Sequence, residues 1–212
     1  MRHYSPILSA TIVWFIQFGA LTITADAKSA YESFAGPNVL ADRIAALGPN
    51  VRRDEAQQIA EHAYARAESF RRTYGFTWPP LFNNFLVHVG IHKRGFCFQF
   101  AEDLLLDLDS LKVTTLELHW GEARPGRWGE HNCVVVTAKG QPFRDGILLE
   151  NWRLCGHLFW LAVATDYFPW VEDSQYAAMV RSRSAEKTMA GSAGTHAGSA
   201  GERASASSAL VR

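Results

Sequence analysis

The hydrophobic pattern of the chain changes period near its middle, and this change constrains the fold more than any other feature. Apolar residues first recur at helical spacing, which predicts three helices over 54–75, 80–90 and 96–111. Alternating or uniformly apolar segments then predict three strands over 113–120, 131–138 and 146–152. Helices followed by a strand meander predict an α+β fold, with the helices packed on a small antiparallel sheet.

Both ends of the chain differ in composition from this middle part. Residues 1–27 have a basic start, an apolar segment and small residues at positions 25 and 27, which is the layout of a secretory signal peptide. We interpret 28–50 as a linker and lead-in, 51–178 as the domain, and 179–212 as a disordered Ala/Ser/Gly-rich tail. These features predict a periplasmic or secreted protein with no stable membrane span after cleavage. If the signal is not cleaved, the protein is membrane-anchored.

The charge of the chain is balanced, with 21 Lys and Arg against 21 Asp and Glu. No basic stripe of the kind that holds a phosphate backbone is present in the sequence, so we expect no nucleic-acid partner. The His, Cys and acidic residues lack the paired close spacing of a zinc motif, so we expect no metal and no cofactor.

Cys97 begins the third predicted helix, directly after a glycine turn in the segment KRGFCFQF. Unpaired backbone N–H groups and the helix dipole favour an anion at this position, and a thiol placed there is activated as a nucleophile. The alternative is a buried, inert cysteine that packs as a small hydrophobe.

His131 opens the second predicted strand, and Glu150 lies near the end of the third, after three apolar residues. If these two strands form a hairpin, the start of one lies beside the end of the other, and His131 and Glu150 become neighbours. A base and a carboxylate that orients it are the groups that activate a thiol nucleophile.

The chain contains three cysteines, which is an odd number for an exported protein. One disulfide and one working thiol would account for them, and Cys133–Cys155 would then be the pair. Three unpaired cysteines are the alternative.

The order of these residues resembles the transglutaminase-like superfamily, a branch of the papain-like cysteine hydrolases. The matching features are the helix GFCFQFAEDL, the strand HNCVVVTA and the strand end LLENWR, which together cover about residues 80–155. The resemblance implies that Cys97 is the nucleophile, His131 the base and Glu150 the orienting acid, where the family usually has aspartate. Asn151 and Asp145 are alternative third residues.

Acyl transfer also needs a donor for the oxyanion, and the backbone N–H of Cys97 can be one. The side-chain candidates for a second donor are Asn83, Asn84, His92 and Trp120. We therefore expect an exported cysteine peptidase or amidase that acts on a peptide or protein amide through a thioester. The alternative is a catalytically inactive domain of the same fold that binds a peptide or protein partner.

Overall fold

The structure, a computed structural model, describes residues 32–127 and 129–186. They fall into two compact units, one up to residue 172 and one from residue 173. The predicted signal peptide and most of the predicted tail lie outside the described residues. None of the described helices is both long enough and apolar enough to cross a bilayer.

Among its described residues, the first unit contains four α-helices of nine residues or more and a five-stranded antiparallel sheet, so the α+β prediction is confirmed. The helices are α1 (Pro37–Ala45), α2 (Arg53–Tyr74), α3 (Pro80–His88) and α4 (Cys97–Ser110). The strands are β1 (Leu116–Ala123), β2 (His131–Ala138), β3 (Ile147–Leu154), β4 (His157–Ala162) and β5 (Trp170–Glu172). Their order across the sheet is β4-β3-β2-β1-β5.

The helices form a layer on one face of the sheet. Helix α2 buries the predicted alanine-rich stripe and packs on α1 and α4, and α4 packs on the central strand β2. The opposite face of the sheet carries a second apolar cluster around Cys133, Val135, Leu148 and Phe159. Because β2 is covered on both faces, all eight of its residues are buried.

Strand β1 begins at Leu116 rather than at the predicted residue 113. The Glu55 carboxylate of α2 accepts hydrogen bonds from the backbone N–H and the hydroxyl groups of Thr114 and Thr115 at 2.6–3.0 Å. Burial alone would raise the pKa of Glu55, but these hydrogen bonds lower it to about 2. The N–H groups of both threonines are therefore bonded to α2, and the β1–β2 ladder starts at Leu116.

Three elements were not predicted as such. Helix α1 lies within the segment interpreted as linker and lead-in, and β4 and β5 lie within the aromatic-rich segment after residue 155. In the second unit, residues 174–186 are helical, and the backbone N–H of Tyr176 donates to the Asp173 side chain at 2.8 Å. This helix continues past residue 178, where we placed the end of the domain.

Candidate active site

Cys97 is the first residue of α4, as predicted, and the loop before it is held by several polar contacts. The Gln99 side-chain oxygen accepts hydrogen bonds from the backbone N–H groups of Gly95 and Phe96 at 2.9 and 3.1 Å. Gly95 has a φ of +155°, and a Cβ there would lie 2.8 Å from the Asn83 amide nitrogen. A glycine is therefore required immediately before this turn. The Cys97 N–H, in the first turn of the helix, has no intrahelical acceptor.

Asn83 connects this loop to helix α3 and is fully buried. Its amide nitrogen donates to the Gly95 carbonyl at 3.3 Å, and its oxygen accepts from the Thr77 backbone N–H at 3.3 Å. His92 Nδ1 lies 3.1 Å from the same oxygen. Since these contacts use both ends of the amide, Asn83 and His92 position the loop rather than face Cys97.

His131 is the first residue of β2, and its side chain is only 3% exposed. Its ring lies against those of Trp152, Phe168 and Trp170, at centroid distances of 5.2, 5.2 and 5.5 Å. Strand β2 pairs with β3 through Val134 and Leu149, and the same register brings Trp152 opposite His131. An aromatic box therefore fixes the imidazole at the end of the sheet.

Glu150 lies on the same face of the sheet, with its Oε2 3.4 Å from His131 Nε2. This distance is an ion-pair contact rather than a well-aligned hydrogen bond. The carboxylate also accepts from the backbone N–H groups of Trp152 and Arg153, and Arg153 Nε lies 3.2 Å from Oε1. Arg153 in turn pairs with the buried Asp166. Glu150 is thus held in one orientation behind the histidine.

The electrostatics of the pocket favour a protonated His131. Burial alone would lower the pKa of His131, but the neighbouring Cys97 and Glu150 raise it to about 9. The Glu150 carboxylate lies 3.4 Å from the imidazole, and Cys97 lines the same cleft as His131. Such an environment favours a proton on the ring.

Asn132, which sequence reasoning missed, has its amide next to the sulfur. Its Nδ2 lies 4.0 Å from Cys97 Sγ and 3.3 Å from a Glu130 oxygen. Its Oδ1 accepts a hydrogen bond from Trp120 Nε1 at 3.1 Å. This bond sets the orientation of the amide, because an indole N–H can only donate, so the N–H₂ group faces Cys97. The sequence feature that could have indicated Asn132 is its position directly after the candidate base, His131.

Trp120 and Asn84, two other side-chain candidates for the oxyanion donor, form hydrogen bonds with other residues. Trp120 Nε1 is occupied by Asn132, so the indole orients the donor and does not face the sulfur itself. Asn84 lines the same cleft as Cys97, and its oxygen accepts from Trp152 Nε1 at 3.1 Å. Its role in the structure is to connect α3 to the end of β3.

The two alternative third residues do not contact His131. Asn151 is fully buried, and its amide forms no hydrogen bond within the described part of the chain. Alternation along β3 turns it to the face opposite Glu150. Asp145 is exposed in a short 3₁₀ helix (Phe143–Asp145) before β3, at the far end of the hairpin from His131.

All three cysteines are free thiols in the structure, which agrees with the alternative of three unpaired cysteines and not with a Cys133–Cys155 disulfide. Cys133 belongs to the fully buried cluster on the sheet face away from the helices, where a Cβ on Gly121 would lie 2.7 Å from its sulfur. Cys155 lies in the β3–β4 turn, with its sulfur 4.0 Å from the Thr77 carbonyl. Burial raises the pKa of both thiols, that of Cys133 well above its usual value.

A cleft of about 860 Å³ opens onto Cys97 and His131. Its lining is mainly aromatic and aliphatic, and side chains from α3, the start of α4, the β1–β2 loop and the segment before β5 contribute to it. Clefts of this size accommodate small-molecule ligands or part of a peptide. Cys97 is partly exposed in this cleft, so a substrate carbonyl can reach its sulfur.

Nowhere in ranges 32–127 and 129–186 do three His, Cys, Asp or Glu side chains converge as metal ligands would. No protein-family model, curated protein or solved structure matches the chain.

Proposed function

We propose that the protein is a cysteine hydrolase that cleaves an amide by acyl transfer through a thioester on Cys97. The observation that carries this proposal is that Cys97 of α4 and His131 of β2 line one cleft, with Glu150 of β3 in contact with His131 at 3.4 Å. The same order of helix, strand and strand supports a transglutaminase-like, papain-like fold. The three residues have the relation of nucleophile, base and orienting acid.

In the first half of the reaction, the Cys97 thiolate attacks the amide carbonyl carbon and an S–C bond forms. The protonated His131 gives its proton to the amide nitrogen, the C–N bond breaks, and the amine leaves. In the second half, His131 takes a proton from water, and the resulting hydroxide attacks the thioester. The S–C bond then breaks, which releases a carboxylic acid and restores the thiolate–imidazolium pair.

The developing oxyanion needs donors in both halves of the reaction. The Cys97 backbone N–H is one, and we assign the second to Asn132 Nδ2 in place of the donors predicted from the sequence. The hydrogen bond from Trp120 supports this assignment, because it holds the amide in one orientation before substrate binds. A preorganised donor requires little rearrangement in the transition state.

We favour water over an amine as the acyl acceptor, because water requires no dedicated binding site. The predicted signal peptide favours a periplasmic or secreted protein, or a membrane-anchored one if the signal is not cleaved, and cell fractionation tests that location. The alternative function, a catalytically inactive domain that binds a peptide or protein partner, is favoured by one observation. The Glu150 carboxylate is shared between His131 and Arg153, so it is not dedicated to the histidine.

A p-nitrophenyl octanoate assay separates the two functions. We expect a burst of p-nitrophenol and an octanoyl adduct on the Cys97 peptide in mass spectra, followed by slow turnover. Cys97→Ala should abolish both signals and His131→Ala should reduce them, whereas the matched control Cys155→Ala should retain them. A wild-type protein that binds the ester but forms no adduct at Cys97 would favour the inactive domain.

A further inference from the structure

We propose that the substrate is an amide that joins an apolar acyl group to an amine part with a free carboxylate. This inference rests on the proposed acyl-transfer function and adds the substrate class to it. The two chemical groups are recognised at opposite ends of the cleft, the apolar group by helix α3 and the carboxylate by Arg124.

Helix α3 has its polarity reversed relative to an ordinary surface helix. Asn83 is fully buried and faces the fold, whereas Leu81 and Phe85 are 59% and 54% exposed. These two side chains, with Asn84 and His88, form the i, i+3, i+4, i+7 stripe that lines the cleft. A surface helix normally turns such a stripe toward the core. Here the stripe faces the cavity that contains Cys97, which indicates that an apolar ligand completes its burial.

The opposite end of the cleft carries a cationic group at the end of β1. The Arg124 guanidinium lies over the Phe168 ring at 5.4 Å, and the residue has a φ of +56°. Within the described part of the chain, Arg124 forms no ion pair, unlike Arg153, which is paired with Glu150 and Asp166. A guanidinium fixed on an aromatic face and free of a carboxylate can bind the carboxylate of a substrate.

Glu130 is the carboxylate that shares this end of the cleft, and its oxygens are engaged in the loop. One accepts from the Gly126 backbone N–H at 2.8 Å, and the other from Asn132 Nδ2 at 3.3 Å. These contacts hold the loop and the amide in place. Because the Glu130 carboxylate is held by Gly126 and Asn132, the Arg124 guanidinium remains available to bind a ligand.

The order of the strands gives the substrate a direction. Trp152 at the end of β3, His131 at the start of β2 and Ala123 at the end of β1 are neighbours along the sheet edge. Asn84 of α3 is bonded to Trp152, and Arg124 follows Ala123, so the two recognition groups lie on either side of His131. Phe168 contacts both the His131 ring and Arg124. The leaving amine, which His131 protonates, therefore departs on the side of Arg124.

The test compares N-octanoyl-glycine with N-octanoyl-glycinamide and with N-acetyl-glycine. We expect kcat/KM to be at least about ten-fold higher for octanoyl-glycine than for either comparison substrate, as expected for one charged contact or a buried alkyl chain. Arg124→Gln should bring the acid-to-amide ratio close to one, whereas Arg127→Gln, in the same loop, should not change it. Phe85→Ser should reduce the octanoyl-to-acetyl ratio, whereas Ile91→Ser should not. Acetyl-Phe-Gly is a further substrate, and its cleavage would indicate that the natural substrate is the C-terminus of a peptide rather than an N-acyl amino acid.

The possible outcomes distinguish a failure of this substrate proposal from a failure of the proposed acyl-transfer function. Equal rates for the acid and the amide, or an acid-to-amide ratio that survives Arg124→Gln, would overturn the carboxylate site. Equal rates for octanoyl and acetyl substrates would overturn the apolar site. If p-nitrophenyl octanoate acylates Cys97 but none of these amides is cleaved, the inference fails while the acyl-transfer chemistry stands. If no substrate gives Cys97-dependent acylation, the proposed function itself fails.

Discussion

Replacing Asn132 by alanine tests the most specific assignment in the site. The variant removes the amide Nδ2 that lies 4.0 Å from Cys97 Sγ, and it leaves the backbone N–H of Cys97 as the remaining oxyanion donor. Asn132 is 4% exposed and forms no contact that the aromatic box around His131 requires. We therefore expect the nucleophile and the base to stay in place.

The expected loss follows from the role of a single oxyanion donor. Removal of such a donor lowers kcat by about 10²–10³-fold, or roughly 3–4 kcal/mol of transition-state stabilisation, with a small effect on KM. The variant also leaves Trp120 Nε1 buried without its acceptor, which should lower the free energy of unfolding by about 1–3 kcal/mol. The loss of activity and the loss of stability must therefore be measured separately.

The assay is the burst rate with p-nitrophenyl octanoate, paired with urea unfolding of the same samples. Thr137→Val is the matched control, because it removes a buried hydrogen bond to His119 at the other end of β2. It should lose a similar amount of stability and keep the wild-type burst rate. If Asn132→Ala acylates within about three-fold of the wild type, the oxyanion assignment is refuted.

Three further predictions concern the groups behind the nucleophile. Glu150→Gln should lower kcat by about 10²–10⁴-fold while Asp145→Asn leaves it unchanged, and the reverse result would move the third residue to the turn. Arg153→Met should lower the free energy of unfolding in urea by about 3–5 kcal/mol, because it removes the guanidinium that pairs with the buried Glu150 and Asp166 carboxylates, and a loss under 1 kcal/mol would contradict this. Because the pKa of His131 is raised to about 9, its acidic form is present below that pH and lost above it. In a pH–rate profile, kcat/KM for an amide should therefore fall as pH rises through about 9, and a profile that is flat to pH 10.5 would count against His131 as the acid.

The helices of the first unit were predictable because their burial follows local periodicity. The predicted helix over 54–75 corresponds to Arg53–Tyr74, and the one over 96–111 to Cys97–Ser110. Helix α1 was missed because it lies in a segment that we assigned to a linker. Strand β1 was displaced by Glu55, whose contacts with Thr114 and Thr115 link residues about 60 positions apart and leave no local signal.

The proximity of His131 and Glu150 could be predicted because a hairpin brings the start of one strand beside the end of the next. The residues that surround His131 and Glu150 could not be predicted in this way. Asn132 lies on the other side of β2 from His131 by alternation, so only the packing of α4 on the sheet brings its amide beside Cys97. The sequence left the Cys133–Cys155 disulfide and three free thiols open for the same reason, because it does not reveal that Cys133 is enclosed by the cluster beneath the sheet.

The most direct test of the site is the alkylation rate of each cysteine by iodoacetamide, followed by peptide mass mapping from pH 5 to 10. An ordinary thiol, with a pKa near 8.5, loses more than about 100-fold in rate between pH 8.5 and pH 6. We expect Cys97 to lose less than about ten-fold over this range, because the proposed function requires a nucleophile that His131 activates. The partly exposed Cys155 should show at least the ordinary loss, and His131→Ala should give Cys97 the ordinary profile. If Cys97 follows Cys155 and does not respond to His131→Ala, the site is not a primed nucleophile.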